Sequence, residues 1–201
     1  MITIIDYGMG NLGSIANMIK KVGGRSKITS DLNEIKNAEK LILPGVGSFD
    51  NGIKNLKSTG IFEVINDRVL NDKIPIMGIC LGMQLMTNSS EEGVEKGLSW
   101  VDAETIKFSN ISLKVPHMGW NTIEHSKESK LFNDYDLEKR FYFVHSYYVS
   151  AKNESEVLTH SEYGHKFVSS FEKENIIGVQ FHPEKSHNFG MNLIKNFIEK
   201  Y

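Results

Sequence analysis

Ile74-Pro75-Ile76-Met77-Gly78-Ile79-Cys80-Leu81-Gly82-Met83-Gln84-Leu85 decides the fold. A short apolar run ends in Gly-x-Cys-x-Gly and passes at once into an apolar stretch at helical spacing. Residues 74–79 read as a buried strand, and 83–87 as the start of a helix. Working backwards, Ile2–Ile5 and Lys40–Leu43 are strands. Residues 11–22 are a helix with Leu12, Ile15, Ile19 and Val22 on one face, and 52–70 are mostly helical. Strand, helix and strand at these spacings mean βαβ units and a parallel sheet.

Working forwards, 105–108, 122–123, 140–149, 156–160, 167–172 and 176–181 are strand candidates separated by polar turns, which suits antiparallel pairing. Residues 191–201 close the chain as an amphipathic helix. No linker or repeat divides the sequence. The expectation is one α/β domain, 1–201, with a mixed, mainly parallel central sheet flanked by helices and an antiparallel section in the second half.

The 201 residues are 40% hydrophobic and 24% charged, which argues against a disordered or fibrous chain. Lys and Arg number 23 against 25 Asp and Glu, for a net charge of −2, whereas a chain that grips phosphate backbones is normally basic. No nucleic-acid partner is expected. A single cysteine excludes an internal disulfide and a thiolate metal cluster. The seven histidines are scattered, so no metal is expected. No cofactor is expected either. No apolar run approaches the roughly 18 residues of a membrane span, and the start is too quickly acidic for a signal peptide. A cytoplasmic protein with one free thiol and no membrane partner is the expectation.

One motif competes for attention. Gly8-Met9-Gly10-Asn11-Leu12-Gly13 matches G-x-G-x-x-G, and Asp31 lies near the spacing of a ribose ligand. Residues 23–30, however, are polar and make a poor second strand. The glycines read more simply as a tight strand-to-helix turn with close packing.

Gly78-Ile79-Cys80-Leu81-Gly82 has the form of a nucleophile elbow carrying a thiol. A side chain at so sharp a turn points out of the sheet, flanking glycines let backbone pass close by, and the helix's positive end favours a thiolate. The amide of Leu81 is then free to donate to an oxyanion. Alone, the motif reads equally as a buried structural cysteine. It needs a base. Gly178-Val179-Gln180-Phe181-His182-Pro183-Glu184 offers one at the end of an apolar strand, where catalytic groups of parallel sheets collect. Glu184 is placed to orient the imidazole of His182. Leu43-Pro44-Gly45-Val46-Gly47-Ser48-Phe49 ends a neighbouring strand candidate, where its backbone N–H groups can meet developing charge. By itself it is an ordinary Pro-Gly turn.

Together IIDYGMGNL (4–12), LPGVGSF (43–49), GICLGMQL (78–85), KVPHMGWN (114–121), FVHSYY (143–148) and GVQFHPEKS (178–186) resemble the class I, triad-type glutamine amidotransferases. The resemblance implies a flavodoxin-like fold and hydrolysis of L-glutamine to glutamate and ammonia. It makes Cys80 the nucleophile, His182 the general base and acid, and Glu184 its orienter. The amides of Val46 and Leu81 form the oxyanion hole. Gly47, Gln84, Glu92 and the backbone of His145, Ser146 and Tyr147 hold the substrate. It also implies a heterodimer with a (β/α)8-barrel cyclase, which takes the ammonia to make imidazole glycerol phosphate and aminoimidazole carboxamide ribonucleotide in histidine biosynthesis. Residues 114–120, with Val115, Met118 and Trp120, read as a loop-like docking surface. Val46 is β-branched and resists positive φ, so its amide is expected to turn away from the site until the partner is loaded.

Gly13, Gly97-Leu98-Ser99-Trp100 and Lys185-Ser186-His187-Asn188 depart from the commoner family forms. They leave open a paralogous glutaminase that supplies ammonia for amidation of a surface-glycan sugar. Two rival classes remain at this stage: a cysteine hydrolase or peptidase without a partner, and a nucleotide-binding module built on residues 8–13.

Overall fold

In the computed structural model, which describes residues 1–109, 112–132 and 139–201, the chain alternates strand and helix through its first half. The elements there are β1 (Ile2–Ile5), α1 (Leu12–Lys21), β2 (Ser26–Thr29), α2 (Leu32–Lys36), β3 (Lys40–Leu43), α3 (Phe49–Ser58), α4 (Ile61–Asn66), β4 (Ile76–Ile79) and α5 (Leu81–Leu85). There follow β5 (Ser89–Ser90), β6 (Ala103–Lys107), β7 (His117–His125), β8 (Lys139–His145), β9 (Tyr147–Ala151), β10 (Val157–Glu162), β11 (Lys166–Lys173), β12 (Ile176–Val179) and α6 (His187–Lys200).

The strands run in the order β2-β1-β3-β4-β12-β11-β10-β7-β8, with β9 joining β11 to β6 and β5. From β2 to β12 neighbouring strands are parallel, and beyond β12 this path is antiparallel. The parallel core is apolar on both faces, as crossover helices require. Ile5, Leu41, Leu43 and Ile76 share one buried cluster with Phe49, Ile53 and Leu56 of α3 and Ile61 and Ile65 of α4. The alternate residues Ile2, Ile4, Ile42, Met77 and Ile79 belong to a second cluster, with Ile15 and Ile19 of α1 and Leu193 and Phe197 of α6.

Register then sets up the site. Leu43 lies opposite Gly78, and Gly78 opposite Gly178. The carboxyl ends of β3, β4 and β12 are therefore level, and the segments after them emerge side by side.

Several elements differ from the sequence reading. Residues 26–29 do form a strand. They are polar because β2 is a sheet edge, and Lys27 pairs there with Glu34. The helical stretch 52–70 begins earlier, at Phe49, and is broken by Gly60 at φ 74°. The single strand of 140–149 is two, because the chain changes partner at Ser146: His145 pairs with His117, and Tyr147 with Lys107. Residues 117–120 are the start of β7 rather than a loop, although Met118 and Trp120 are 62% and 45% exposed. The last helix starts a turn sooner, at His187.

The G-x-G-x-x-G segment serves packing. A Cβ on Gly10, at φ 107°, would lie 2.9 Å from Pro44. Gly13 meets nothing within 4 Å, and Asp31 caps α2 by accepting from the Glu34 amide at 2.9 Å. The two glycine types give opposite expectations. Gly82→Ala would drive a Cβ to 1.9 Å from the Leu43 carbonyl oxygen and should cost about 3 kcal/mol or more. Gly13→Ala, exposed in α1, should stabilise by about 0.5–1 kcal/mol. Urea unfolding of the two variants checks both signs.

Candidate active site

Cys80 stands between β4 and α5 with φ 54° and ψ −110°, a conformation L-residues rarely hold. Its neighbours make the turn possible. A Cβ on Gly78 would lie 2.7 Å from Gly82 backbone, and one on Gly45 2.7 Å from the Gly82 nitrogen. The turn is thus packed backbone against backbone, and the sulfur is turned into a cleft. Sγ lies 3.9 Å from the Val144 carbonyl oxygen and 3.8 Å from Gln180 Nε2. Leu81 opens α5, so its N–H has no acceptor within the helix.

His182 follows β12 after two further residues. Its own N–H donates to Tyr142 O at 2.8 Å, and its carbonyl accepts from Ser186 Oγ at 2.6 Å. Ser186 Oγ in turn accepts from the Tyr142 amide at 3.0 Å. Pro183 begins a short 3-10 turn, which brings Glu184 back under the ring. Nδ1 of His182 and Oε1 of Glu184 are 2.8 Å apart, with both side chains buried. Nε2 makes no hydrogen bond at ordinary distance. Burial alone would lower the imidazole's affinity for a proton. The Cys80 sulfur and the Glu184 carboxylate outweigh burial and push its pKa up to about 10. His182 is therefore a proton carrier beside a thiol.

A cleft of about 320 Å³ opens over this pair. Its walls include Cys80, Leu81, Val46, Gly47, Gln84, Glu92, His145, Ser146, Tyr147 and His182, with Pro116, Val144 and Lys185 completing it. All the site residues read from the sequence thus line one cavity except Glu184, which sits behind His182. Val46 is 55% exposed and has no positive φ. Gly47 does, at φ 129°. Glu92 accepts from the Phe49 amide at 2.8 Å, whereas its neighbour Glu91 accepts from Lys107 N at 2.6 Å. A larger groove of about 400 Å³ along α6 holds neither thiol nor imidazole among its described residues.

Three buried groups were not singled out in the sequence. Gln180 links Sγ to Gln84, whose Nε2 reaches both Gln180 Oε1 (3.1 Å) and Tyr147 O (3.0 Å). A glutamine flanked by Val179 and Phe181 in an apolar strand end was the available signal. Ser186 fixes the His182 backbone. His117 forms a chain with His145. The Tyr147 carbonyl can only accept, so His145 Nδ1 donates to it (2.7 Å) and His145 Nε2 accepts from His117 Nδ1 (3.1 Å). His117 Nε2 then accepts from Asn121 Nδ2 at 3.3 Å. Both rings are neutral. Burial lowers His145 to about 3, against its hydrogen bond to Tyr147, and lowers His117 to about 4.

A sequence model of the family described as "Glutamine amidotransferase class-I" matches residues 3–201. The chain belongs to the class-I glutamine amidotransferase family. It is accordingly an enzyme, a glutamine amidotransferase. A Methanococcus maripaludis protein named imidazole glycerol phosphate synthase subunit HisH 2 is 54% identical over 201 residues, covering 100% of both chains. Subunit HisH 2 of Pseudomonas aeruginosa is 46% identical over 99% of each chain. Subunit HisH 1 of Campylobacter jejuni is 48% identical over 98% of this chain and 99% of its own. Among solved structures, a glutamine amidotransferase superposes with TM-score 0.77 at 17% identity, over 99% of this chain and 98% of that one. The PurLQS structure from Thermotoga maritima gives TM-score 0.75 at 15% identity, over 98% and 96%. At these identities the two structures speak for the fold.

The histidine pair makes this amidotransferase acid-sensitive. Both rings are neutral when folded and have an ordinary value of 6.5 when unfolded, so the unfolded chain takes up more protons as pH falls from about 6.5 towards about 4. Stability must fall in that window. His182, raised, already contributes its full share below 6.5 and adds no slope there. The melting temperature should drop between pH 6.5 and 5, and His117→Gln should flatten the drop by about one proton's worth.

Proposed function

We propose that this chain is the glutaminase subunit of an imidazole glycerol phosphate synthase in the cytoplasm. It hydrolyses L-glutamine to glutamate and ammonia, and the ammonia passes to a (β/α)8-barrel cyclase partner in histidine biosynthesis. One observation carries the chemistry: a strained Cys80 and a Glu184-paired His182 line one cleft together with Val46 and Leu81.

In this reading the Cys80 thiolate attacks the side-chain amide carbon of glutamine. Val46 and Leu81 amides take the negative oxygen. The His182 imidazolium gives its proton to the nitrogen, the C–N bond breaks, and ammonia leaves. His182, now neutral, draws a proton from water, which attacks the γ-glutamyl thioester. Glutamate departs and the sulfur recovers its resting state. One oxyanion donor contributes about 3 kcal/mol and proton transfer on the order of 10²–10⁴ in rate. Gln84, Glu92 and the peptide groups from His145 to Tyr147 hold the substrate's amino and carboxylate ends. No step requires a metal or a cofactor.

The partner is supported by an exposed face continuous with the cleft. Trp120 stacks on His187 at 5.5 Å with 5° between the rings, and its other neighbour, Tyr142, lies under the Lys185 ammonium at 5.6 Å. Lys185 lines the cleft. An aromatic, partly apolar surface at the mouth of an ammonia-producing site is suited to a subunit that must receive ammonia before water does. The reading as a glutaminase for surface-glycan amidation is not favoured, since the relatives named above all carry the name of the histidine-pathway synthase.

Glutamine hydrolysis by the full chain is the test, alone and with a barrel cyclase loaded with the phosphoribulosyl-formimino aminoimidazole ribonucleotide. Glutamate release should rise on adding the loaded cyclase. Cys80→Ala should abolish it, and Glu184→Gln should lower kcat on the order of 10²–10⁴. Activity surviving in Cys80→Ala overturns the glutaminase reading. Full activity of the isolated chain overturns control by the partner.

A further inference from the structure

Tyr7 lies two residues past β1, and its ring is buried in the cluster that holds Leu43, Phe49 and Leu81. Its hydroxyl donates to the Pro44 carbonyl oxygen at 2.6 Å. Peptide units are planar and trans, so fixing Pro44 O also fixes where the Gly45 N–H points. Gly45 sits directly under the phenol: a Cβ there would lie 2.9 Å from Tyr7 Oη, and 2.7 Å from both the Gly82 nitrogen and Leu81 Cβ. The phenol, the peptide before the Val46 segment and the elbow that carries Cys80 thus meet at one point. At the far end of the same segment the Phe49 amide is held by Glu92 at 2.8 Å. The strip 45–48 is pinned at both ends, and between the pins Val46 is exposed.

We propose that Tyr7 is a positioning residue for the oxyanion hole, its hydroxyl setting the Pro44–Gly45 peptide against the elbow so that the strip after it meets the developing negative charge. The proposal rests on the glutaminase reading. It explains why a phenol, and not an aliphatic residue, is buried two residues past β1: the buried carbonyl at Pro44 needs a donor, and a rigid ring supplies one at fixed height.

Tyr7→Phe in the full chain, assayed with its cyclase partner and acceptor, removes only the hydroxyl. Two readouts on Cys80 separate the causes. Glutamine hydrolysis passes through an oxyanion, whereas iodoacetamide alkylates the thiolate by displacement at carbon and forms none. The expected result is a kcat about 10-fold lower with KM held within about twofold, since misplaced donors weaken the transition state alone. The alkylation rate of Cys80 should match the parent, which also certifies the fold. Equal losses in hydrolysis and alkylation would assign Tyr7 to the thiol or to general stability and overturn the proposal. So would an unchanged kcat. A parent chain that alkylates but never hydrolyses glutamine, with or without partner, sinks the glutaminase reading itself and the proposal with it.

Discussion

The backbone of Cys80 is the constraint on which the rest of the molecule turns. A non-glycine residue at φ 54° costs on the order of 1–3 kcal/mol and persists only where its surroundings leave no alternative. Here they leave none. Gly82 rests with its α-carbon against the Leu43 carbonyl, Gly78 against Gly82, and Gly45 against the amide of Gly82. Three glycines on three different segments let β3, β4 and α5 approach within backbone contact. Any side chain at those points would lift α5 from the sheet, relax the turn and swing the sulfur away from His182. The strain at one residue is thus held by absence of atoms at three others. The hydrophobic clusters on the two sheet faces supply the rigidity that makes the contact hold.

What could be read in advance divides along physical lines. Ile2–Ile5 and Lys40–Leu43 were legible to the residue, because strands covered on both faces must be apolar throughout. β2 was not, since an edge strand facing water carries Ser26 and Lys27 and has no core face to announce it. The break at Ser146 was hidden because both halves of 140–149 are equally β-forming. Only the choice of partner, β7 for one and β6 for the other, separates them, and that is a property of the assembled sheet. Cys80, His182 and Glu184 could be picked out because each sits in a motif whose local turn chemistry is written in glycine and proline. The roles read for Val46, Gln84, Glu92 and the 145–147 strip came from family likeness. Spacing alone does not bring residues a hundred positions apart to one cavity. Tyr7, His117, Gln180 and Ser186 escaped for a related reason. Their partners are carbonyls, amides and rings distant in sequence, so no local pattern marks them.

The histidines around the cleft show how partners decide charge. His182 and His145 interact electrostatically, and both are buried. Desolvation disfavours a charge on each. His182 has the Glu184 carboxylate on one nitrogen and the Cys80 sulfur facing the other, and holds its proton. His145 has a peptide carbonyl on one nitrogen and the neutral ring of His117 on the other, and has no anion to offset a charge. A second cation there would also repel His182. The Asn121–His117–His145 chain therefore does two things at once. It gives the Tyr147 carbonyl a neutral donor, which steadies the strip assigned to the substrate's ends, and it keeps the only buried positive charge of this cluster at the ring facing Cys80. Put a carboxylate in place of Asn121 and the chain could hold an extra proton. The imidazolium that must deliver a proton to departing ammonia would then compete with a neighbour of its own charge, and a site able to cleave an amide at neutral pH would be weakened by a residue that touches neither substrate nor sulfur.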